Sequence, residues 1–356
     1  MDFRNRRLWI LIAFFLMVII LGACQAALPT SLPVITVPID ETLTPQAVAS
    51  VTPTRLPTET QEAALAVLLA PAGSDPMQVE LLRSTLEGPL TQAGLRWEVR
   101  SDLDPFEAGL RLVFALPPDP GIADLASASP QVQFVAVNMP GIQPSANLSL
   151  VGGEPRFDQQ GFLAGVIAAM LTPDWRVGVV SIADTPEGKA ARNGFMNGAI
   201  YFCGLCQAYH GPIFDYPLYV EIPSGAGQAD WQAAVDTLLS QAVKTVYVFP
   251  GAGEPSVLES LGQAGINIIS SGAPPQNLSA QWIASIDVDS TASILEHLPD
   301  FLAGKGGLDI TLPVVVRDVN PELFSPGRQK LAEEIRDQLL SGMIDTGIDP
   351  LTGDNR

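Results

Sequence analysis

The sequence predicts an α/β protein of two lobes, each a doubly wound, mostly parallel sheet, carried behind an export signal and a tether. Three observations predict it. From Ala64 onward, short and nearly continuous apolar runs alternate with amphipathic segments, as in a parallel sheet covered by helices on both faces. The loops after the apolar runs are polar or Gly-rich, and open α/β sheets hold ligands beyond the carboxyl ends of their strands. Finally, 356 residues exceed what one core needs, at roughly 100–200 residues per domain.

The first element is the signal. Arg4, Arg6 and Arg7 precede an apolar run from Leu8 to Ala23, a charged region followed by a hydrophobic one. The run is about 16 residues, short of the roughly 20 that span a bilayer as a helix. It ends Leu21-Gly22-Ala23-Cys24, which resembles a bacterial lipobox, where cleavage exposes the Cys24 amine and the thiol takes a diacylglyceryl group. The alternative is an uncleaved N-terminal anchor. Both place the bulk of the chain outside the cytoplasmic membrane. Residues 1–23 therefore read as a lipoprotein signal peptide. Residues 24–62 read as the lipidated Cys24 and a Pro/Thr-rich disordered tether, as in Thr52-Pro53-Thr54, since such a stretch buries too little apolar surface to fold.

Strands are expected at 65–70, 96–100, 111–116, 133–137, 148–151, 176–182, 218–222, 245–249, 267–270, 282–286 and 312–316. Helices are expected at 77–93, 157–171, 186–202, 228–241, 255–264, 291–302 and 328–341. Punctuation supports the helices. Asp184-Thr185-Pro186-Glu187 offers caps and a proline at the first turn, and Gly94, Gly204, Gly265 and Gly342 follow helix ends. The small residues Leu163-Ala164-Gly165 and Ala168-Ala169 read as close packing of a helix on a sheet.

Composition excludes several functions. Charged residues make up 16% and the net charge is −19, so nucleic acid is not an expected partner. His210 and His297 are the two histidines, too few for a His-based metal site or relay. There is no G-x-S-x-G, H-E-x-x-H or P-loop. Gly251-x-Gly253 lacks the third glycine of a dinucleotide fingerprint. Neither catalysis nor a cofactor nor a metal is expected. Cys203-Gly204-Leu205-Cys206 closes a helix, and a local disulfide is the expected state in an oxidising compartment. Two free buried thiols and a redox centre are the alternatives.

Residues 156–169 read Arg-Phe-Asp-Gln-Gln-Gly-Phe-Leu-Ala-Gly-Val-Ile-Ala-Ala. They are followed by Arg176-Val177-Gly178-Val179-Val180, by Gly194-Phe195-Met196-Asn197-Gly198, and later by Ile286-Asp287-Val288-Asp289. These blocks resemble the basic membrane protein family of solute-binding lipoproteins. The resemblance implies a type I periplasmic-binding fold, with lobe 1 at 63–172 (residues 288–304 returning to it), lobe 2 at 173–287, and 305–356 crossing back between the lobes. It implies capture of a purine nucleoside or related small molecule for an ABC permease, by a monomer held extracytoplasmically on the membrane by its lipid. A ligand-sensing lipoprotein serving a membrane signalling partner is the alternative function; a C-x-x-C redox protein is a third.

By position, the resemblance assigns ligand contacts to Asp75, Asn138 and Asp287, and a backbone approach to Gly251. The strand-end loops add Ser74, Asp184, Gly253 and Ser271. Phe157 is either a stacking ring at the cleft or a staple on its own helix, and Asp287 with Asp289 either meets ligand or caps a helix. The sequence departs from the family's first loop, D-x-S-F-N, at Gly73-Ser74-Asp75-Pro76-Met77. It also carries Asn138 for an Asp and Ala284 for a Gly, and lacks a Lys near Glu296-His297.

Overall fold

The computed structural model describes residues 64–104, 107–252 and 255–356. The signal, Cys24, the tether and Gly253 lie outside them. The chain begins with β1 (Leu65–Leu69), α1 (Pro76–Gln92), β2 (Arg96–Arg100), β3 (Leu110–Ala115), α2 (Ile122–Ala128), β4 (Gln133–Val137) and β5 (Leu148–Val151). Next come α3 (Phe157–Leu171), β6 (Val177–Ile182), α4 (Pro186–Cys203), β7 (Leu218–Ile222), α5 (Gln228–Ser240), β8 (Thr245–Val248), α6 (Pro255–Gln263), β9 (Asn267–Ser270) and β10 (Trp282–Val288). The last elements are α7 (Ser290–Leu302), β11 (Asp309–Ile310), β12 (Val314–Arg317) and α8 (Pro326–Leu340).

Two six-stranded sheets result. The first runs β11-β5-β4-β3-β1-β2 and is parallel throughout. The second runs β12-β10-β9-β8-β6-β7 and is parallel except at the β10–β12 edge. The chain crosses between them after β5, after β10 and after β11.

β1 shows why a continuous apolar run makes a central strand. All five residues are buried. Successive side chains point to opposite faces, so Ala66 and Leu68 join α1 and α7 in one core while Leu65, Val67 and Leu69 join α2 in another. The second sheet has a single continuous core.

The helix α3 moves one boundary and adds to one expectation. Its buried residues belong to the core of the second sheet, so the division between cores falls before α3 and not at residue 172. Besides packing on the second sheet, its small residues admit a helix at close range: a Cβ at Gly165 would lie 2.1 Å from the carbonyl oxygen of Phe195, and one at Gly198 2.0 Å from that of Phe162. Gly161 and Gly194 make the same kind of approach. Glycines four apart lie on one helix face, and here two such faces bring backbone against backbone. The blocks carrying the family resemblance are thus largely this helix pair.

Other differences are smaller. The short α2 escaped expectation because seven residues carry too little periodicity. The strand expected at 312–316 is β12, which pairs with β10 in the second sheet, and the unexpected two-residue β11 before it joins β5 in the first. Beyond α8, the C-terminal hook is tied down by the Asn193 amide donating to the Gly353 carbonyl (2.6 Å), the Asn197 amide donating to that of Thr346 (2.9 Å), and a Lys189–Asp354 ion pair.

Candidate functional site

A cavity of about 260 Å³ lies where the three crossings meet. Asn138, Pro140 and Gly152, from the loops after β4 and β5, form one wall. Arg156, Phe157 and Gln160, from the start of α3, line the cavity too, as do Val288 and Leu312 from the crossings. A second cavity of about 340 Å³ shares Pro140, Glu154 and Pro155 and extends to Pro186, Pro350 and Leu351.

Each wall residue has a local reason for its place. Asn138 ends β4 at φ 54°, left-handed backbone that Asn adopts more readily than most residues. Gly152 leaves room for it: a Cβ there would stand 2.6 Å from the Asn138 amide oxygen and from Leu312 Cδ1. Phe157 opens α3, with its ring packed edge-on against Phe249 (centroids 5.3 Å apart, planes at 76°). It therefore lines the cavity and leans on the end of β8, not on its own helix. Gln160 lies one turn on, on the same helix face.

Arg156 is held by the fully buried Asp158 through two parallel hydrogen bonds of 2.9 Å, from Nε and Nη2, and Thr346 Oγ1 donates to the same carboxylate at 2.7 Å. The Asp158 carboxylate raises the Arg156 pKa further above its ordinary value. The guanidinium stays charged and fixed, and the C-terminal hook is thereby linked to the cavity wall.

The other sequence-predicted residues are not on this wall. The Ser74 hydroxyl donates to the Pro117 carbonyl at 2.7 Å and ties two loops of the first sheet together. Asp75 caps α1, accepting from the Met77 amide at 3.0 Å. Asp184 accepts from the Ser224 amide (2.7 Å) and hydroxyl (2.5 Å), and these bonds hold its pKa below the ordinary carboxylate value. Asp287 accepts from the Gly272 amide at 3.1 and 3.3 Å. Burial pushes its pKa up, and the Gly272 bond only partly offsets this. Asp289 caps α7 by accepting from the Ala292 amide and pairs with Arg317. Gly251 lies in a short turn, where a Cβ would sit 3.0 Å from the Phe249 ring. Ser271 is half-buried just after β9. Cys203 and Cys206 are bonded to each other at the end of α4, away from the cavity.

Of the predicted contacts, the structure brings Asn138 and Phe157 together. Gln160, Arg156, Gly152 and Leu312 complete the wall. The spacing of Phe157 and Gln160 on one helix was a usable signal; Gly152 and Leu312 had none, because they meet Asn138 only through tertiary packing.

Comparison with solved structures settles the architecture. An ABC transporter solute-binding protein from Conexibacter woesei superposes with a TM-score of 0.59 at 19% identity, over 80% of this chain and 98% of that one. A second, from Aeropyrum pernix, gives 0.51 at 13% identity, over 80% and 92%. This is the two-lobed periplasmic-binding fold. A transcriptional activator of the comK gene from Bacillus halodurans shares it as well, with a TM-score of 0.53 at 15% identity, over 79% and 99%. The fold therefore serves more than one role, and function must be argued from the site. No protein-family model and no curated protein matches the chain. Among the described residues no helix is long and apolar enough to cross a membrane, and no cluster of three or more His, Cys, Asp or Glu forms a metal site.

Proposed function

We propose that this chain is an extracytoplasmic solute-binding protein, tethered by a lipid on Cys24, that captures a small polar-aromatic solute such as a nucleoside for an ABC permease. The observation that carries the reading is the cavity at the three crossings, lined by the first sheet's loops and by α3. A solute held there contacts both lobes, so it stabilises a closed arrangement more than an open one; only such a difference in affinity moves a two-state equilibrium. Its volume is just under the roughly 300–1,000 Å³ of common ligand pockets, which suits a small solute. An aromatic ring beside polar side chains suits a planar one. Capture and release need no covalent step, in keeping with a non-enzymatic role.

A thermal-shift screen of the chain against nucleosides, nucleobases, sugars and amino acids tests the proposal. At a concentration 100 times Kd, a true ligand stabilises the fold by about 2.7 kcal/mol. Small-angle scattering with that ligand is expected to report a more compact particle. No shift with any class, or turnover of the added compound, overturns the reading.

A further inference from the structure

We propose that Gln160 and Asn138 read the captured solute as a pair of amides, and that the solute presents a planar edge that both donates and accepts hydrogen bonds, as a carboxamide does. This rests on the solute-capture reading above and sharpens it.

Gln160 is 3% exposed and lines the cavity, and its amide pairs with no described residue. The amide is not sealed off from solvent, so its donors and acceptor stay available to whatever fills the cavity. Asn138, just after β4, lines the same cavity, and its side chain likewise bonds to no described residue. Each amide offers one acceptor oxygen and two N–H donors. Two amides lining one cavity from different elements match a group that also offers both. The carboxylates expected to grip hydroxyls are already engaged: Asp75 by its helix cap, Asp184 by Ser224 and Asp287 by Gly272. Arg156 is committed to Asp158, with Glu154 and Asp345 also close enough to act on it, which disfavours selection of an anion. The Phe157 ring supplies the apolar surface for a planar group.

The test is calorimetric titration of the intact chain with nicotinamide and uracil, which carry such an edge, with ribose and galactose, which offer only hydroxyls, and with glutamate, which is charged. Nicotinamide or uracil is expected to bind, and Gln160→Met and Asn138→Gly are each expected to weaken that binding about tenfold or more. The unliganded melting temperature of Gln160→Met is expected not to fall, because Met keeps the packing volume and the lost amide had no protein partner; a hydrogen-bonding role of the amide within the fold would lower it. Glycine suits the left-handed backbone at 138, so Asn138→Gly carries the test if Gln160→Met does not fold. Binding of ribose, galactose or glutamate without nicotinamide or uracil overturns the amide proposal and leaves solute capture standing. So does nicotinamide or uracil binding that neither variant weakens. Silence across all five probes counts against both.

Discussion

The two lobes reach the same topology by different packing. In the first, side chains do the work: the parallel sheet is covered by separate apolar layers on its two faces, with Phe114 fully buried and in edge contact with both Trp97 and Phe301. In the second, α3 and α4 meet backbone to backbone through four glycines, and α3 is buried from Asp158 to Met170. The first kind of core tolerates changes of size at a graded cost. The second leaves no space for even one methyl group. Part of the candidate site stands on the stricter lobe, because Arg156, Phe157 and Gln160 begin the helix that those glycines hold in place.

That contrast can be tested in order of expected effect. Gly198→Val should abolish cooperative folding, since its Cβ would meet the Phe162 carbonyl at 2.0 Å; loss of the urea transition checks it, and a fold that survives ends the distinction between the lobes. Phe114→Ala should cost about 3–5 kcal/mol while leaving a folded protein, read from the same denaturation curves. Asp158→Ala should cost about 2 kcal/mol by freeing Arg156 and Thr346 together, and it should loosen the C-terminal hook, seen as faster hydrogen exchange at residues 345–356. Tyr247→Phe should be neutral or stabilise by about 1 kcal/mol. The Tyr247 hydroxyl is buried in the second core with no hydrogen-bond partner among the described residues, and burial raises its pKa far above the ordinary value.

The smallest effect is a pH dependence. Burial raises the pKa of Asp287 in the folded state. The stability this group contributes is therefore complete below its unfolded value and is lost as pH rises through the folded one. Asp287→Asn keeps an acceptor for the Gly272 amide but does not titrate. The melting temperature of the native chain should thus fall relative to this variant between about pH 4 and pH 7. A difference that is constant across that range refutes the assignment.

Much of the fold was legible in the sequence because periodicity and punctuation are local. β1 announced itself as a buried central strand by its unbroken apolar run, and α4 by the Thr185 cap and Pro186. The candidate site was legible only in part. Asn138 and Phe157 were found from strand ends and resemblance, yet Asp75, Asp184 and Asp287, chosen by the same logic, bond within the protein, Asp75 to the helix it caps, Asp184 to Ser224 and Asp287 to Gly272 in neighbouring loops. An aspartate after a strand looks the same whether it faces a ligand or caps a helix.

By itself the sequence determined the α/β class, the alternation of elements and most of their bounds, because each depends on neighbours within a few residues. Only the tertiary structure decided that α3 belongs to the second core, that its glycines meet those of α4, and that Asn138 and Gln160 share one cavity. Those facts are distances between residues far apart in the chain, set by how two sheets and three crossings pack together.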